Sequence, residues 1–371
     1  MSGPLHSLSE AGVSVWLDDL SRSRLDSGSL AAMLSSHSIA GVTTNPTIFA
    51  QAISQDPAYE PRLAEAVATA GAEADPEELI DLLTVADVQD ACDALRGVYE
   101  RTEGIDGRVS LEVSPVLAHD GEGTIEAAKR LAAAVGRENV MIKIPATEAG
   151  LYAIPRVLEA GISVNVTLVF SLDQYRKVVE AYLTGLERAR EHGADLSSIA
   201  SVASVFVSRV DAEIDRRLDA LGTEEAAALR GGAGLANCRL THRVQSQVFD
   251  SERFRVLAAA GARIQRLLWA STGVKDPAYP DTMYVSGLVT PGTVNTMPEK
   301  TMEAFADHGE VPADTMPGAY AAADAHFDAL AGLGIDYAEV MDRLQTEGLE
   351  KFSASWTELV DVVASRRADA V

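Results

Sequence analysis

Apolar and β-branched residues occur along the chain in eight short runs, separated by longer segments whose apolar positions have helical spacing. The predicted strands are VSVWLD ending at Asp18, IAGVTT ending at Thr44, RVSLEV ending at Val113, VMIKIP ending at Pro145, ISVNVTLV ending at Val169, SVASVFV ending at Val207, IQRLLWAS ending at Ser271 and MYVSGLV ending at Val289. Amphipathic stretches such as TIEAAKRLAAAVG lie between most of them. Strands that alternate with helices indicate βαβ units and a parallel sheet. Nearly continuous apolar strands also fit a sheet that is covered on both faces.

Eight such units predict an α/β fold of the (β/α)8 (TIM) barrel type, which typically needs about 250 residues. The chain has 371 residues, and we assign the surplus to a helical insertion at about 210–263 and to additional helices from about 298. No linker rich in Pro, Gly and Ser interrupts the chain, so we expect one domain over residues 1–371. The alternative architecture is an open doubly wound sheet. Its usual nucleotide loops, G-x-G-x-x-G after a strand or G-x-x-x-x-G-K-[ST], are missing.

Polar residues recur near the ends of these apolar strands. They are Asp18, Asn45, Glu112, Lys143, Asn165, Thr167 and Ser204. A polar group on a strand buried on both faces costs free energy unless it is paired, and an ionisable group costs several kcal/mol. Seven polar residues at the same end of successive strands therefore indicate a role beyond that of the core alone. In a (β/α)8 barrel the carboxyl ends of the strands carry the active site. The pattern therefore predicts a polar site at that end of the barrel.

Lys143 is the most informative of these residues, because it lies inside the run Val140–Pro145. One interpretation is an edge-strand lysine whose stem is buried and whose ammonium reaches water. The other is a desolvated amine, since burial favours the neutral form of a lysine, and a neutral amine attacks carbonyl groups. The residues alone leave both interpretations open.

Composition restricts the class of partner. The formal net charge is −24, which argues against nucleic acid and anionic membranes, and a phosphate substrate would need a local basic pocket. No apolar run reaches the length of a membrane-spanning helix, and the first residues lack the basic and apolar pattern of a signal peptide, so we expect neither feature. Cys92 and Cys238 form no C-x-x-C pair, so we expect a cytoplasmic location. The seven histidines lack metal-ligand spacing, and we expect neither a metal nor an organic cofactor.

Two segments resemble the signatures of the transaldolase family. They are GVTTNPTIF at 41–49 and VMIKIPATEAG at 140–150, the second of which carries the Schiff-base lysine in that family. Three further segments are similar: ISVNVTLVFS at 162–171, SVFVSR at 204–209, and TVNTMP at 293–298, which looks like the longer bacterial branch. The resemblance extends from about residue 16 to 298 and implies a barrel of the class I aldolase type.

The resemblance also implies roles for individual residues. Lys143 matches the nucleophile, Asp18 the general base for carbon–carbon cleavage, and Glu112 the carboxylate that moves protons through a water held by Thr167. The implied substrate-binding residues are Asn45, Asn165, Ser204 and Phe206 for the three-carbon unit, with Arg209 and Lys275 for phosphate. Lys275 departs from the pattern, because shorter family members place an arginine near this point.

The reaction implied is transfer of a dihydroxyacetone unit from sedoheptulose 7-phosphate to glyceraldehyde 3-phosphate, in the non-oxidative pentose phosphate pathway. Erythrose 4-phosphate and fructose 6-phosphate are the products, and no cofactor takes part. One alternative is a fructose-6-phosphate aldolase, although such aldolases carry glutamine where Glu112 stands and tyrosine where Phe206 stands. A pyridoxal-phosphate barrel and a non-catalytic sugar-phosphate binder are further alternatives. The oligomeric state, monomer or homodimer, stays open.

Overall fold

Eight parallel strands pair in chain order and close into a barrel in the computed structural model, which describes residues 3–369. The strands are β1 (Val13–Leu17), β2 (Ile39–Val42), β3 (Arg108–Glu112), β4 (Val140–Pro145), β5 (Val164–Val169), β6 (Ser201–Phe206), β7 (Arg266–Ala270) and β8 (Thr293–Met297). The barrel closes where β1 pairs with β8 along all five of its residues. The predicted (β/α)8 barrel is therefore confirmed.

Helices connect the strands and extend the chain beyond them. Before β6 these are α1 (Pro4–Glu10), α2 (Arg22–Asp26), α3 (Ser29–Ser36), α4 (Pro46–Gln55), α5 (Tyr59–Ala70), α6 (Pro76–Ala94), α7 (Arg96–Arg101), α8 (Gly121–Val135), α9 (Glu148–Glu159) and α10 (Leu172–Glu191). After β6 they are α11 (Ser208–Leu221), α12 (Glu224–Ala228), α13 (Ala233–Phe249), α14 (Glu252–Ala258), α15 (Met283–Ser286), α16 (Glu299–His308), α17 (Tyr320–Gly332) and α18 (Tyr337–Asp369). Two short 3-10 helices cover Pro115–His119 and Leu196–Ser198.

The strand predicted at 283–289 is wrong. Its first four residues form α15, whose turn is closed by hydrogen bonds from the amides of Val285 and Ser286 to the carbonyl oxygen of Thr282. The run is apolar because Tyr284 and Val285 are buried under neighbouring elements, and a short buried helix cannot be distinguished from a strand by such a run. The eighth strand is instead the more polar segment TVNTM at 293–297.

Two strand connections hold most of the additional helices. Four helices, α11 to α14, lie between β6 and β7, where the sequence predicted a helical insertion. Another four, α4 to α7, lie between β2 and β3. Because all eight strands are present, these helices add to the barrel and replace none of its units.

Side-chain alternation along β4 positions Lys143. Met141 packs in one apolar cluster with Trp16 and Leu268, whereas Ile142 and Ile144 belong to the larger cluster that includes the surrounding helices. Successive side chains on a strand point to opposite faces, so Lys143 shares the inner face with Met141. Its neighbour across the sheet is Asn165 of β5.

The longest helix, α18, comprises 33 residues and spans about 50 Å at 1.5 Å per residue. It packs along α4 and α6. Gln345 donates a hydrogen bond of 2.9 Å to the carbonyl oxygen of Ala146, one residue after β4. Ser355 and Thr47 share a hydroxyl hydrogen bond of 2.8 Å. These contacts hold the helix at the carboxyl end of the barrel. None of the helices within residues 3–369 is long and apolar enough to cross a membrane.

Candidate active site

A cavity of about 710 Å³ opens at the carboxyl ends of the strands. We call it the mouth cavity. Eight of the residues predicted from the sequence line it: Asp18, Asn45, Lys143, Thr167, Ser204, Phe206, Arg209 and Lys275. The other two predicted residues, Glu112 and Asn165, lie behind this lining. The structure thus brings the predicted residues to one end of the barrel.

Lys143 is buried, with only 5% of its surface exposed. Its Nζ donates a hydrogen bond of 2.8 Å to the carbonyl oxygen of Thr44 and lies 3.1 Å from Oε1 of Glu112. The Phe352 ring centroid is 6.0 Å from the same nitrogen. The interpretation as an edge-strand lysine reaching water is wrong, because β4 is paired on both sides and the amine is enclosed.

Glu112 is held beside Lys143 by strand register, since the two residues are direct partners across β3 and β4. Burial raises the pKa of Glu112 to about 7, although the charge of Lys143 opposes this shift. The 3.1 Å approach to Lys143 is an ion-pair distance, yet neither carboxylate oxygen accepts a well-aligned hydrogen bond from the residues described here. A carboxyl group with a pKa near neutrality can both donate and accept a proton.

Thr167 presents a second buried polar atom without a protein partner. Its hydroxyl is enclosed and forms no hydrogen bond with the rest of residues 3–369. The next residue, Leu168, has a φ of 58°, and the pairing of β5 with β6 shifts register between Val166 and Val169. Such irregularities re-aim strand side chains and are frequent beside active sites. The hydroxyl of Thr167 is therefore available to a bound molecule in the mouth cavity.

Asp18 directly follows β1, and its amide is fixed by a 2.8 Å hydrogen bond to the carbonyl oxygen of Met297. Its Oδ1 accepts a hydrogen bond of 2.7 Å from the hydroxyl of Thr43. Burial raises the pKa of Asp18, while Lys143 and the Thr43 hydroxyl oppose the shift. The result is an oriented carboxyl group whose proton affinity is greater than that of an exposed aspartate.

The three polar residues predicted to bind the hydroxyl groups of the substrate differ in position. Asn45 caps α4, its Oδ1 accepting from the amide of Ile48 at 2.9 Å, and it lines the mouth cavity. Ser204 also lines the cavity, and its hydroxyl donates to Oδ1 of Asn165 at 2.7 Å. Asn165 is fully buried and its Nδ2 donates to the hydroxyl of Ser110 at 3.0 Å. Asn165 thus lies behind the cavity lining and is hydrogen-bonded to Ser204.

Three cationic side chains surround the outer part of the mouth cavity: Arg209, Lys275 and Lys351. None of the three forms an ion pair with another residue in the described range of 3–369. Burial lowers the pKa of Arg209. Partial burial, together with the like charges of Lys351 and Arg209, lowers the pKa of Lys275. In a chain with a net charge of −24, uncompensated cations at one point produce a locally positive potential.

Lys351 and Phe352 are cavity residues that the sequence did not indicate. Both belong to α18, which follows the last segment that resembles the transaldolase family by about 40 residues. No motif surrounds them, and a lysine on an amphipathic helix is usually a solvated surface residue. A possible signal was Gly348, three residues before Lys351, because a glycine within a helix often marks close packing. A Cβ at Gly348 would lie 3.3 Å from Nη1 of Arg209.

Sequence comparisons identify relatives of this chain over nearly its whole length. A sequence model of the family described as Transaldolase/Fructose-6-phosphate aldolase matches residues 15–363. A curated protein named Transaldolase from Renibacterium salmoninarum is 58% identical over 96% of this chain and 94% of its own length. Proteins of the same name from Thermobifida fusca and Mycolicibacterium smegmatis are 55% and 56% identical, covering 99% and 96% of this chain and 99% and 95% of their own lengths.

Proposed function

The chain belongs to the transaldolase/fructose-6-phosphate aldolase family, and we propose that it is a transaldolase that uses Lys143 to form a Schiff base. The observation that carries the proposal is the buried group at the base of the mouth cavity, where Lys143 lies 3.1 Å from Glu112 and shares the cavity with Asp18. A buried amine that shares a cavity region with two carboxyl groups of raised pKa suits a reaction that moves protons at each step.

The first half of the proposed reaction forms the covalent intermediate. The neutral amine of Lys143 attacks the C2 carbonyl carbon of a ketose phosphate such as sedoheptulose 7-phosphate. Glu112 protonates the carbinolamine hydroxyl, which leaves as water and gives an iminium ion. A pKa of about 7 for Glu112 allows it to give and later recover this proton near neutral pH. The unpartnered hydroxyl of Thr167 would hold the water through which the proton moves.

The second half cleaves and re-forms a carbon–carbon bond. Asp18 takes the proton of the C4 hydroxyl, the C3–C4 bond breaks, and its electron pair moves into the iminium to give an enamine. An aldose phosphate, here erythrose 4-phosphate, leaves as the aldehyde. The enamine carbon then attacks the carbonyl of glyceraldehyde 3-phosphate, Asp18 returns its proton, and hydrolysis releases fructose 6-phosphate from Lys143. In this scheme the carboxyl groups of Glu112 and Asp18 donate and accept the transferred protons.

Substrate recognition follows from the positions of the remaining residues. We propose that Asn45 and Ser204 bind the hydroxyls of the three-carbon unit, with Asn165 orienting Ser204 through their 2.7 Å hydrogen bond. Arg209, Lys275 and Lys351 would bind the phosphate group, because an arginine grips phosphate through two donors and lysines add point charges. Phe206 would form the apolar wall beneath Arg209, whose guanidinium carbon lies 5.1 Å from the ring centroid.

The main alternative is an aldolase that releases free dihydroxyacetone, since the family description includes both activities. Two observations support transfer. The highly similar curated relatives are named as transaldolases, and this chain carries Glu112 and Phe206 where the related aldolases are expected to carry glutamine and tyrosine. Phe206 packs against Phe170 at 5.2 Å between ring centroids and offers no hydroxyl that could activate a water.

We further propose a cytoplasmic location, supported by two buried thiols, Cys92 and Cys238, that form no disulfide. Sugar phosphates are the proposed partners. We also propose that the chain forms one domain, acting as either a monomer or a homodimer.

Borohydride trapping tests the proposed nucleophile. Reduction in the presence of fructose 6-phosphate should add one dihydroxyacetone unit to the peptide that contains Lys143, and peptide mass mapping would locate it. Lys143→Ala should remove both the adduct and the activity, whereas Lys177→Ala, on the outer helix α10, should keep both. An adduct on any other lysine would contradict the assignment. Continuous release of free dihydroxyacetone without an acceptor would favour the aldolase.

A further inference from the structure

A second cavity, of about 740 Å³, opens at the opposite end of the barrel from the mouth cavity. We call it the lower cavity. Its lining includes the first residues of four strands, β1, β3, β6 and β7, together with Met141 from the start of β4. The four first residues are Val13, Arg108, Ser201 and Arg266. The amino ends of barrel strands usually serve stability. The proposed reaction uses none of these residues.

Three arginines line the lower cavity: Arg108, Arg263 and Arg266. Arg266 is compensated, because its Nη1 lies 2.9 Å from Oδ1 of Asp106. Asp106 also accepts hydrogen bonds from the Ser14 hydroxyl at 2.6 Å and the indole of Trp16 at 3.2 Å. The one buried carboxylate of the lower cavity is therefore fully engaged.

Arg108 is the unusual member of the cluster, with only 1% of its surface exposed. Its Nε donates to the carbonyl oxygen of Gly104 at 2.8 Å, and its Nη1 donates to the Ser163 hydroxyl at 3.2 Å. The guanidinium carbon lies 5.3 Å from the ring centroid of Tyr99. Its Nη2 is buried and has no hydrogen-bond partner among residues 3–369. The contacts of Nε and Nη1 hold the segments before β3 and before β5, and they leave Nη2 unexplained.

Arg263 repeats this pattern beside it. Its Nη2 donates to the carbonyl oxygen of Glu103 at 2.6 Å, while its Nη1 is enclosed and has no partner in residues 3–369. Neither Arg108 nor Arg263 forms an ion pair within that range. Burial and the neighbouring arginines lower the pKa of Arg108 to about 10, with Tyr99 and Asp106 opposing. Buried guanidinium donors are normally paired, so two unpartnered Nη groups in one cavity call for an acceptor.

The rim of the lower cavity is apolar. Ile105 and Ile264 line it, and their surfaces are 49% and 40% exposed. Met141, Val202 and Ala200 continue this lining inwards. A concave, mainly apolar surface with a few convergent polar groups is the usual form of a small-molecule site.

We propose that the lower cavity binds a small organic anion, with its carboxylate or phosphate group facing Arg108 and Arg263 and its apolar body against Ile105 and Ile264. The planar guanidinium matches both anionic groups, so the two chemistries need separate probes. Glu103 and Asp106 also line the cavity. However, Asp106 is paired with Arg266 and Glu103 is exposed to solvent, so neither carboxylate neutralises Arg108 or Arg263. The site is separate from the proposed catalytic residues, so its test does not depend on the proposed function.

Calorimetric titration of the full chain tests this proposal. Arg209→Gln serves as the parent, because it removes one cation from the lining of the mouth cavity and so reduces the attraction of that cavity for anions, whatever reaction the chain catalyses. Benzoate and phenyl phosphate are the probes, with phenol and inorganic phosphate as controls for the apolar body and the anion alone. At least one probe should bind with a Kd of roughly 1 mM or tighter, as expected for about ten heavy atoms. Each control should bind at least about tenfold more weakly.

Variants then locate the site. Adding Arg263→Gln to the parent should raise the Kd of the probe about tenfold or more, because a charged donor is lost. Arg255→Gln makes the same change on α14, where Arg255 is 66% exposed, and should have no effect. Ile264→Glu changes an exposed rim residue and should also weaken binding, which keeps the test valid if Arg263→Gln unfolds. The proposal would be overturned if neither probe bound, or if binding were unchanged in both Arg263→Gln and Ile264→Glu. It would also be overturned if inorganic phosphate bound as tightly as phenyl phosphate.

Discussion

At the scale of single residues, the site depends on polar groups that the barrel leaves incompletely satisfied. Glu112 and Thr167 have enclosed oxygen atoms without aligned protein partners, and burial raises the pKa of both Glu112 and Asp18. Folding alone would favour apolar residues at these positions. A bound substrate that supplies a carbonyl and hydroxyls would provide the missing partners, which is the reason to regard the group as catalytic.

The raised pKa of Glu112 predicts a dependence of stability on pH. Its value of about 7 in the folded protein exceeds the ordinary 4.5, so the folded state binds this proton more tightly than the unfolded state. The contribution to stability is complete below about pH 4.5 and is lost as pH rises through 7. At 1.36 kcal/mol per unit this amounts to at most about 3 kcal/mol.

Denaturant titrations at pH 5 and pH 8 measure this contribution. From pH 5 to pH 8, the free energy of unfolding of the wild type should decrease. The decrease should be about 2 kcal/mol larger than that of Glu112→Gln, whose side chain cannot titrate. Glu122→Gln, at an exposed position in the first turn of α8, is the matched control and should behave as wild type. Parallel pH profiles for wild type and Glu112→Gln would contradict the raised pKa.

Lys351 provides the second prediction at this scale. If it binds phosphate, Lys351→Gln should lower kcat/KM for glyceraldehyde 3-phosphate by about fivefold, corresponding to about 1 kcal/mol for one charged contact. Arg209→Ala should cost more, about 2 to 4 kcal/mol, because it removes a bidentate donor. Both variants should keep their rates with unphosphorylated glyceraldehyde.

The measurement is a comparison of the two acceptors in each variant, with Lys177→Gln as a control. Lys177 is exposed on α10 and does not line the mouth cavity. Equal losses for both acceptors would mean that Lys351 and Arg209 support folding or chemistry and that phosphate binds elsewhere.

At the scale of elements, α18 completes a site that the barrel strands begin. It brings Phe352 to Lys143 and Lys351 to the mouth cavity, and Gly348 allows its backbone to approach Arg209 and Leu168. The proposed phosphate region, made of Arg209, Lys275 and Lys351, therefore combines α11, the loop after β7 and α18. A substitution that displaces α18 should therefore weaken phosphate binding more than it slows Schiff-base formation at Lys143.

Gly348→Ala tests this dependence. Alanine in place of glycine in a helix normally adds about 0.5 to 1 kcal/mol of stability. Here the new methyl would lie 3.0 Å from Cδ2 of Leu168 and 3.3 Å from Nη1 of Arg209, so both must move and the gain should largely disappear. KM for phosphorylated acceptors should rise about threefold as Arg209 is displaced, corresponding to roughly half of a charged hydrogen bond.

Gly332→Ala is the matched control. Gly332 ends α17, and a Cβ there would contact nothing within 4 Å. It should therefore show the full gain in thermal stability and unchanged KM. Identical behaviour of the two alanine variants in melting temperature and KM would refute the proposed contact between α18 and the phosphate region.

The elements also show what sequence could and could not predict. Seven of the eight strands are identified correctly, because their apolar runs are required by burial on both faces. The eighth is misassigned because the polar segment at 293–297 forms the strand while α15 is apolar. Local motifs indicated Lys143, Asp18 and Arg209. Lys351 could not be found in this way, since its position depends on long-range packing of α18 against α4 and α6.

At the scale of the whole molecule, the net charge of −24 opposes the approach of anionic substrates. The three cations of the mouth cavity act only at short range, whereas the acidic surface acts over the Debye length, which is about 30 Å at 0.01 M salt and about 10 Å at 0.1 M. Raising the salt concentration from 0.01 M to 0.1 M should therefore screen the repulsion from the acidic surface more than it screens the close contacts with phosphate.

This difference in range predicts an unusual salt dependence. Between 0.01 M and 0.1 M NaCl, kcat/KM for glyceraldehyde 3-phosphate should rise several-fold, on the order of three- to tenfold, because long-range fields alter encounter rates by factors of about ten or more. The value for unphosphorylated glyceraldehyde should stay constant, since a neutral acceptor does not respond to the field. In Lys351→Gln the rise should be steeper, because one short-range attraction has been removed and repulsion dominates at low salt. A fall in kcat/KM with salt in the wild type would show that the local cations govern approach from a distance, and that the acidic surface has no effect on substrate capture.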